Sequence, residues 1–207
     1  MKIKSILLIT FTMLLVSCAE NPADNVVAAR DVEGTIEANT GSGKVYSFTP
    51  ESKIGFVASK VTRSHNGGFT AFTGQFETDG TKLFGTENKI VIDMASTWAD
   101  DVKLTGHLKS PDFFDVATYP TSTFELLRAE KAEGENKYTL AGKFTLHGVT
   151  KQISFPAEIY RDGNEPALDA EFAINRKDYG IEYPGKPDDL IRDEVVIKLA
   201  MRSKPAA

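Results

Sequence analysis

Cysteine is almost absent from this sequence: Cys18 is the only one in 207 residues. No internal disulfide framework is possible, so the fold must rest on its core. Histidine is scarce as well. His65, His107 and His147 show no metal-ligand spacing, and neither a metal nor a cofactor is expected. The formal charge of −5 comes with no basic stripe, which argues against nucleic-acid binding. Nucleophile-elbow, phosphate-loop and zinc-protease motifs are all missing, so no enzyme is expected. No apolar run reaches the roughly 20 residues that cross a bilayer as a helix.

What the N-terminus does contain is a secretory pattern. Lys2 and Lys4 precede a mainly apolar stretch, Ile6 to Val16, that is too short to span a membrane. Leu15-Val16-Ser17-Cys18 follows in the form of a lipobox, with a small residue just before the cysteine. Cleavage would make Cys18 the first mature residue, carrying two or three acyl chains, palmitate among them. Two or more chains anchor stably where one does not. Residues 1–17 are therefore expected to be a lipoprotein signal peptide. Position 19 is Ala rather than the Asp that retains enterobacterial lipoproteins at the inner membrane. That points to the outer membrane, facing the periplasm. Residues 18–43 are rich in small and polar residues with no aromatic side chain, and read as a flexible tether.

Residues 44–203 form the expected domain. They hold all six Tyr, the single Trp and every Phe but Phe11. Period-two alternation recurs along them: Ile54, Phe56 and Ala58; Phe72 and Phe76, with Phe69 in the other phase; Ile90, Ile92 and Met94; Phe124 and Leu126; Leu140, Phe144 and Leu146; Ile153 and Phe155; Phe172 and Ile174; Val195, Ile197 and Leu199. The phase change after Phe69 suggests a bulge or bend near Gly74. Asp100 to Asp115 breaks the pattern with helical spacing, placing Val102, Leu104 and Leu108 near one face. Eight or nine short strands with one helical insert suit an up-and-down barrel or a sandwich. Closure removes exposed edges, which favours an all-β, antiparallel up-and-down barrel of about eight strands.

Four segments resemble the YceI-like, polyisoprenoid-binding family. They are His107–Phe124 (HLKSPDFFDVATYPTSTF), Gly142–Lys151 (GKFTLHGVTK), Phe172–Ile181 (FAINRKDYGI) and Asp193–Ile197 (DEVVI), in the family's order. Thr105-Gly106 stands where an Arg-Asp pair is common, and Tyr179 where a Phe is common. The resemblance implies a lipocalin-like barrel with a long apolar tunnel, periplasmic or secreted, holding in some members a polyisoprenoid chain such as that of a quinone.

The in-phase residues are then the candidate tunnel lining: Ile54, Phe56, Phe72, Phe76, Ile90, Ile92, Phe124, Leu126, Leu140, Phe144, Ile153, Phe155, Phe172 and Ile174. Phe113 and Phe114 are expected to plug or gate one end. The flanking Asp112 and Asp115 read as caps of a helical turn, and Arg176 as a partner of Asp178 or of a ligand headgroup. His107 and His147 are expected to hydrogen-bond locally, holding the helical insert and the turn after Leu146. The expected partners are an isoprenoid or other lipid, and the membrane through the N-terminal anchor. Oligomeric state is not readable. The alternative is a barrel filled by its own side chains, serving as an interaction or structural module of the cell envelope.

Overall fold

The computed structural model describes residues 20–80, 82–83 and 88–206. Cys18 and the expected leader, 1–17, lie outside the described residues. Within them the strands are β1 (Arg30–Asp31), β2 (Lys44–Phe48), β3 (Lys53–Lys60), β4 (Ser64–Phe69), β5 (Phe72–Thr78), β6 (Lys89–Asp93) and β7 (Thr97–Ala99). The helix α1 (Val102–Leu108) follows. Then come β8 (Thr121–Lys131), β9 (Lys137–Leu146), β10 (Val149–Asp162), β11 (Glu165–Asn175), β12 (Gly185–Lys186) and β13 (Asp189–Pro205).

Pairing shows that the first strands are halves of longer staves. β2 and β3 both pair with β13, while β5 and β4 pair back onto β2 and β3. β6 and β7 continue onto β5 and β4. The staves then run β8, β9, β10, β11 and β13, each antiparallel to its neighbour. Because β13 returns to β2 and β3, the sheet is an eight-stranded closed antiparallel barrel with one short helix, the fold class expected. Two of the breaks lie side by side: Thr70 N donates to Ser96 O at 3.3 Å, and Asp93 N to Ala71 O at 3.0 Å. The phase change after Phe69 is therefore at Thr70-Ala71, not near Gly74. β4 itself had no legible period, because its Ser-His-Asn-Gly-Gly run carries little apolar surface. Gly67 is needed there, since a Cβ would sit 2.3 Å from the Phe56 ring.

Alternate turns of such a barrel share an end. One end carries the β3–β4 turn, α1, the β9–β10 turn and the β11–β13 connection; we call it the helix end. Asp101 caps α1, its side chain accepting from Leu104 N at 2.9 Å. Asp100 ties the helix start to β4, accepting from Asn66 N at 2.8 Å and bonding His65 Nδ1 at 2.7 Å. The Asn66 amide first, and His65 second, hold the Asp100 carboxyl below its ordinary range. Leu108 is buried, as expected, but Val102 is 89% exposed and leaves the expected apolar face. As the first helical residue it projects beyond the barrel rim. The β9–β10 turn is His147-Gly148, with φ of 50° and 75°, the left-handed pair a two-residue hairpin of type I′ requires.

The expected free tether is corrected. Residues 27–32 bridge β10 and β11 where those strands part. β10 pairs with β11 only from Glu158 to Asp162. Below that, Ala29 N donates to Ala173 O at 2.8 Å, Ala173 N to Val27 O at 3.0 Å and Val32 N to Gln152 O at 2.9 Å. Arg30 and Asp31 pair with Ser154 and Ile153. Lys151 Nζ holds Asp31 at 2.7 Å. Gln152 shows which backbone groups of β10 face this seam, and Pro156 is in the same phase. Proline offers no donor there, which ends direct pairing with β11. Side-chain composition carries no sign of this, because the segment is held chiefly by backbone groups that would otherwise be left open.

Replacing Ala29 by Pro removes the donor to Ala173. The expected result is faster amide exchange at Ala173 with an unchanged β circular dichroism spectrum. Unchanged protection would show that the seam does not depend on this strap. Asp100 gives a pH signature. Its folded pKa is depressed, so its stabilisation is present above the ordinary carboxylate range and lost as pH falls through the folded value. The Asn66 amide resonance is expected to move in that acidic window.

Candidate functional site: an apolar cavity inside the barrel

Inward side chains of the staves enclose a cavity of about 110 Å³ beneath the helix end. Of the expected lining, Ile54, Phe56, Ile90, Ile92, Phe124 and Phe144 border it, as do Ile153, Phe155, Phe172 and Ile174. Phe113 and Phe114 form its lid. Phe114 lies 6.4 Å from Phe56 and 6.0 Å from Phe69, centroid to centroid. Phe113 packs edge-on against His107 at 4.9 Å, and Tyr183 lies 5.3 Å away. The aromatic cap thus joins α1 to the β11–β13 connection.

A second chamber of about 30 Å³ lies deeper, bordered by Phe76, Leu126, Leu140 and Met201. Ile90, Phe124, Phe155 and Leu199 border both chambers. Phe155 stacks on Phe172 at 4.0 Å and 13°, and Phe124 stands 5.2 Å from Phe155. The four residues Phe76, Leu126, Leu140 and Met201 therefore line the deep chamber rather than the main one. Phe72 lines neither. Although it sits opposite Ile92 in register, it is half-buried and borders a shallow outer groove beside Pro50, so that expectation is corrected. The break at Thr70-Ala71 places it at the bend of the wall.

Several lining residues went unnamed in the sequence. Val195, Ile197 and Leu199 were legible as an in-phase set on the last strand. Phe69 and Ile181 were not, since one precedes a phase break and the other lies in a connection without period. Arg176 is the single charged residue in the wall, and it is buried. Its guanidinium donates to Ile181 O at 2.6 Å, Arg192 O at 3.2 Å and Asp193 Oδ1 at 3.1 Å. Its partner is thus Asp193; Asp178 pairs instead with Lys151 at 3.4 Å. Burial lowers the Arg176 pKa, with Asp193 opposing. Ser122 is the other polar side chain in the wall, and its Oγ donates to Thr145 O at 2.7 Å. Both polar groups are engaged by the protein itself.

The histidines stay apart. His65 meets Asp100, His107 Nε2 meets Asp112 at 2.8 Å, and His147 Nδ1 lies 3.1 Å from Tyr179 O. Asp112 therefore holds His107 rather than capping backbone, and Asp115 takes a left-handed φ of 41°. Tyr179 fills the core beside Phe144 at 5.2 Å, and burial raises its phenol pKa. Among the described residues no group of three or more His, Cys, Asp and Glu is placed to hold a metal. A basin of about 1010 Å³ opens at the opposite end, lined by Tyr46, Tyr138, Tyr160 and Lys131 among others. It is larger but polar and open, so it cannot exclude water from an apolar ligand.

An eight-stranded closed barrel of lipocalin-like form, with an apolar and enclosed interior, is the class this geometry defines. The YceI-like domain model matches residues 46–202, and the chain belongs to that family. A UPF0312 protein of Pseudomonas putida (strain W619) is 30% identical over 160 residues, covering 72% of this chain and 83% of its own. Among solved structures, BcnA of Burkholderia cenocepacia is 27% identical with a TM-score of 0.66, covering 73% of this chain and 95% of that one. A polyisoprenoid binding domain from Saccharophagus degradans, implicated in plant cell wall breakdown, has 19% identity and a TM-score of 0.65. It covers 78% of this chain and 98% of its own, and shows the shared fold.

Arg176→Met tests whether that guanidinium serves the fold. The orphaned carbonyls of Ile181 and Arg192 are expected to cost about 1–3 kcal/mol in denaturant unfolding. A variant as stable as the parent would release Arg176 for another role.

Proposed function

We propose that this chain is a lipid-binding protein of the bacterial envelope rather than an enzyme. Processed at Cys18, it is a lipoprotein of the outer membrane facing the periplasm. Its barrel holds the hydrocarbon of a polyisoprenoid or similar amphiphile, such as an isoprenoid quinone, for sequestration or transport. The observation that carries this reading is the wall of the cavity. Every residue bordering it is apolar or glycine except Ser122 and Arg176, and both of these have protein partners. Such a space selects by shape and burial, at roughly 0.8 kcal/mol for each CH₂ removed from water. It presents no acid, base or nucleophile to a bound molecule. The Saccharophagus degradans domain, described as polyisoprenoid binding, has the same fold and supports the ligand class.

The chambers of about 110 and 30 Å³ are small beside the 300–1,000 Å³ common for ligand sites. A long chain is accommodated when the rings of Phe124 and Phe155 turn aside and unite the two. The same small volume favours the second reading, in which the barrel stays filled and acts as an interaction module of the envelope.

Native mass spectrometry of detergent-free protein, followed by organic extraction, separates the two. The expected result is a co-purifying isoprenoid near one per chain, lost when Ile153→Trp fills the main cavity. A clean apo mass, with no uptake of added polyprenol, would favour the filled barrel.

A further inference from the structure

Among the described residues, the large apolar side chains left exposed are Val27, Val61, Trp98, Val102, Val149 and Leu190. Scattered singly such residues would need no explanation. Here Val61, Val102, Val149 and Leu190 stand in the turns and strand starts of the helix end, and Trp98 and Val27 lie within two residues of where β7 and the β11 seam finish there. Val61 lies in the β3–β4 turn, and its N–H donates to Leu190 O, at the start of β13, at 3.1 Å. Val149 opens β10 directly after the His147-Gly148 turn. Trp98 is in β7, and Val102 begins α1. Val27 accepts from Ala173, close to where β11 finishes at this end. The aromatic lid of the cavity, Phe113 and Phe114, is at the same end.

The chain also enters here. Asn21 is buried, and its Oδ1 lies 3.5 Å from Ser59 Oγ, near the end of β3. Asn21 thus fixes the described chain at this end, and Cys18 stands three residues before it in the sequence. Three residues span about 10 Å at most, so attachment at Cys18 leaves little slack beyond Asn21. Lys103 and Arg63 stand with Asp100 and Asp101 at this rim, so it carries no single sign of charge. Contact there must rest on apolar side chains.

We infer that the helix end of the barrel docks on a lipid bilayer surface, with Trp98 and Val102 entering the interface. Tryptophan favours that depth, its ring apolar and its N–H polar. The inference rests on the envelope-lipoprotein reading and adds an orientation: the lid faces the bilayer, so a hydrocarbon chain passes between membrane and cavity without crossing water.

Trp98 is the only tryptophan, so fluorescence reports this site alone. The full chain, made with its leader in bacteria, is reconstituted into phosphatidylcholine vesicles with or without brominated acyl chains. Flotation reads attachment, and Trp98 quenching reads docking. Brominated lipid is expected to cut the emission at least twofold. The pair Val102→Glu and Leu190→Glu, both exposed and outside the cavity wall, is expected to abolish most of that quenching. Flotation and circular dichroism are expected to stay unchanged in that pair. A chain that floats with Trp98 unquenched overturns the orientation and leaves the anchor standing. Quenching that survives both substitutions overturns it too. A chain that neither floats nor is quenched removes the anchor and the orientation together.

Discussion

Closure by β13 is what lets this chain hold an apolar space. That strand pairs with β11 along one edge and with β2 and β3 along the other. An open sheet would leave a row of unpaired N–H and C=O groups beside the cavity, and water would follow them in. Closure is complete only because three further pieces fill what the eight staves leave open. The strap at residues 27–32 occupies the seam between Glu158 and the helix end, the phenylalanines after α1 cover that end, and Arg176 locks the β11–β13 connection by donating to Ile181 and Arg192.

These pieces have different physical characters. The strap is held by backbone hydrogen bonds and by the Lys151–Asp31 ion pair, so its docking owes little to side-chain hydrophobicity. The lid's backbone is tied, with Phe113 N donating to Ser110 O and Phe114 N to Leu108 O, while its aromatic rings meet their neighbours by packing alone. Arg176 is a buried charge with its donors engaged, and it makes the connection rigid. The wall below them is hydrocarbon. Under the lipid-binding proposal, such an interior would discriminate by length, width and apolarity and would leave a polar head outside the barrel.

The strands with clean alternation, such as β9 with Leu140 and Phe144, could be read directly from the sequence; their period suited a barrel or a sandwich alike, and the edge argument and the family resemblance chose the barrel. The strands' inward phase also named ten of the side chains that border the cavity. Four features escaped for identifiable reasons. β4 carries too few apolar residues to show a period, although its Gly67 admits the Phe56 ring. Phe72 shares a phase with Phe76, but the break at Thr70-Ala71 sets it at the outer bend. The strap lacks any hydrophobic signal because its partners are the backbones of Gln152 and Ala173, about 120 and 140 residues away in the chain, and composition does not report such pairing. Val102 follows helical spacing yet projects from the rim, since α1 starts beyond the wall it was expected to face.

The central claim is that the space between Phe114 and Phe155 receives hydrocarbon. Nuclear Overhauser contacts between an added tetraprenyl alcohol and the methyl groups of isotope-labelled protein test it most directly. The expected result is contacts from isoprenoid protons to Ile153 and Ile174 inside the barrel, with a single bound form. Contacts confined to exposed methyls such as those of Val102 and Leu190, with none to Ile153 or Ile174, would contradict it.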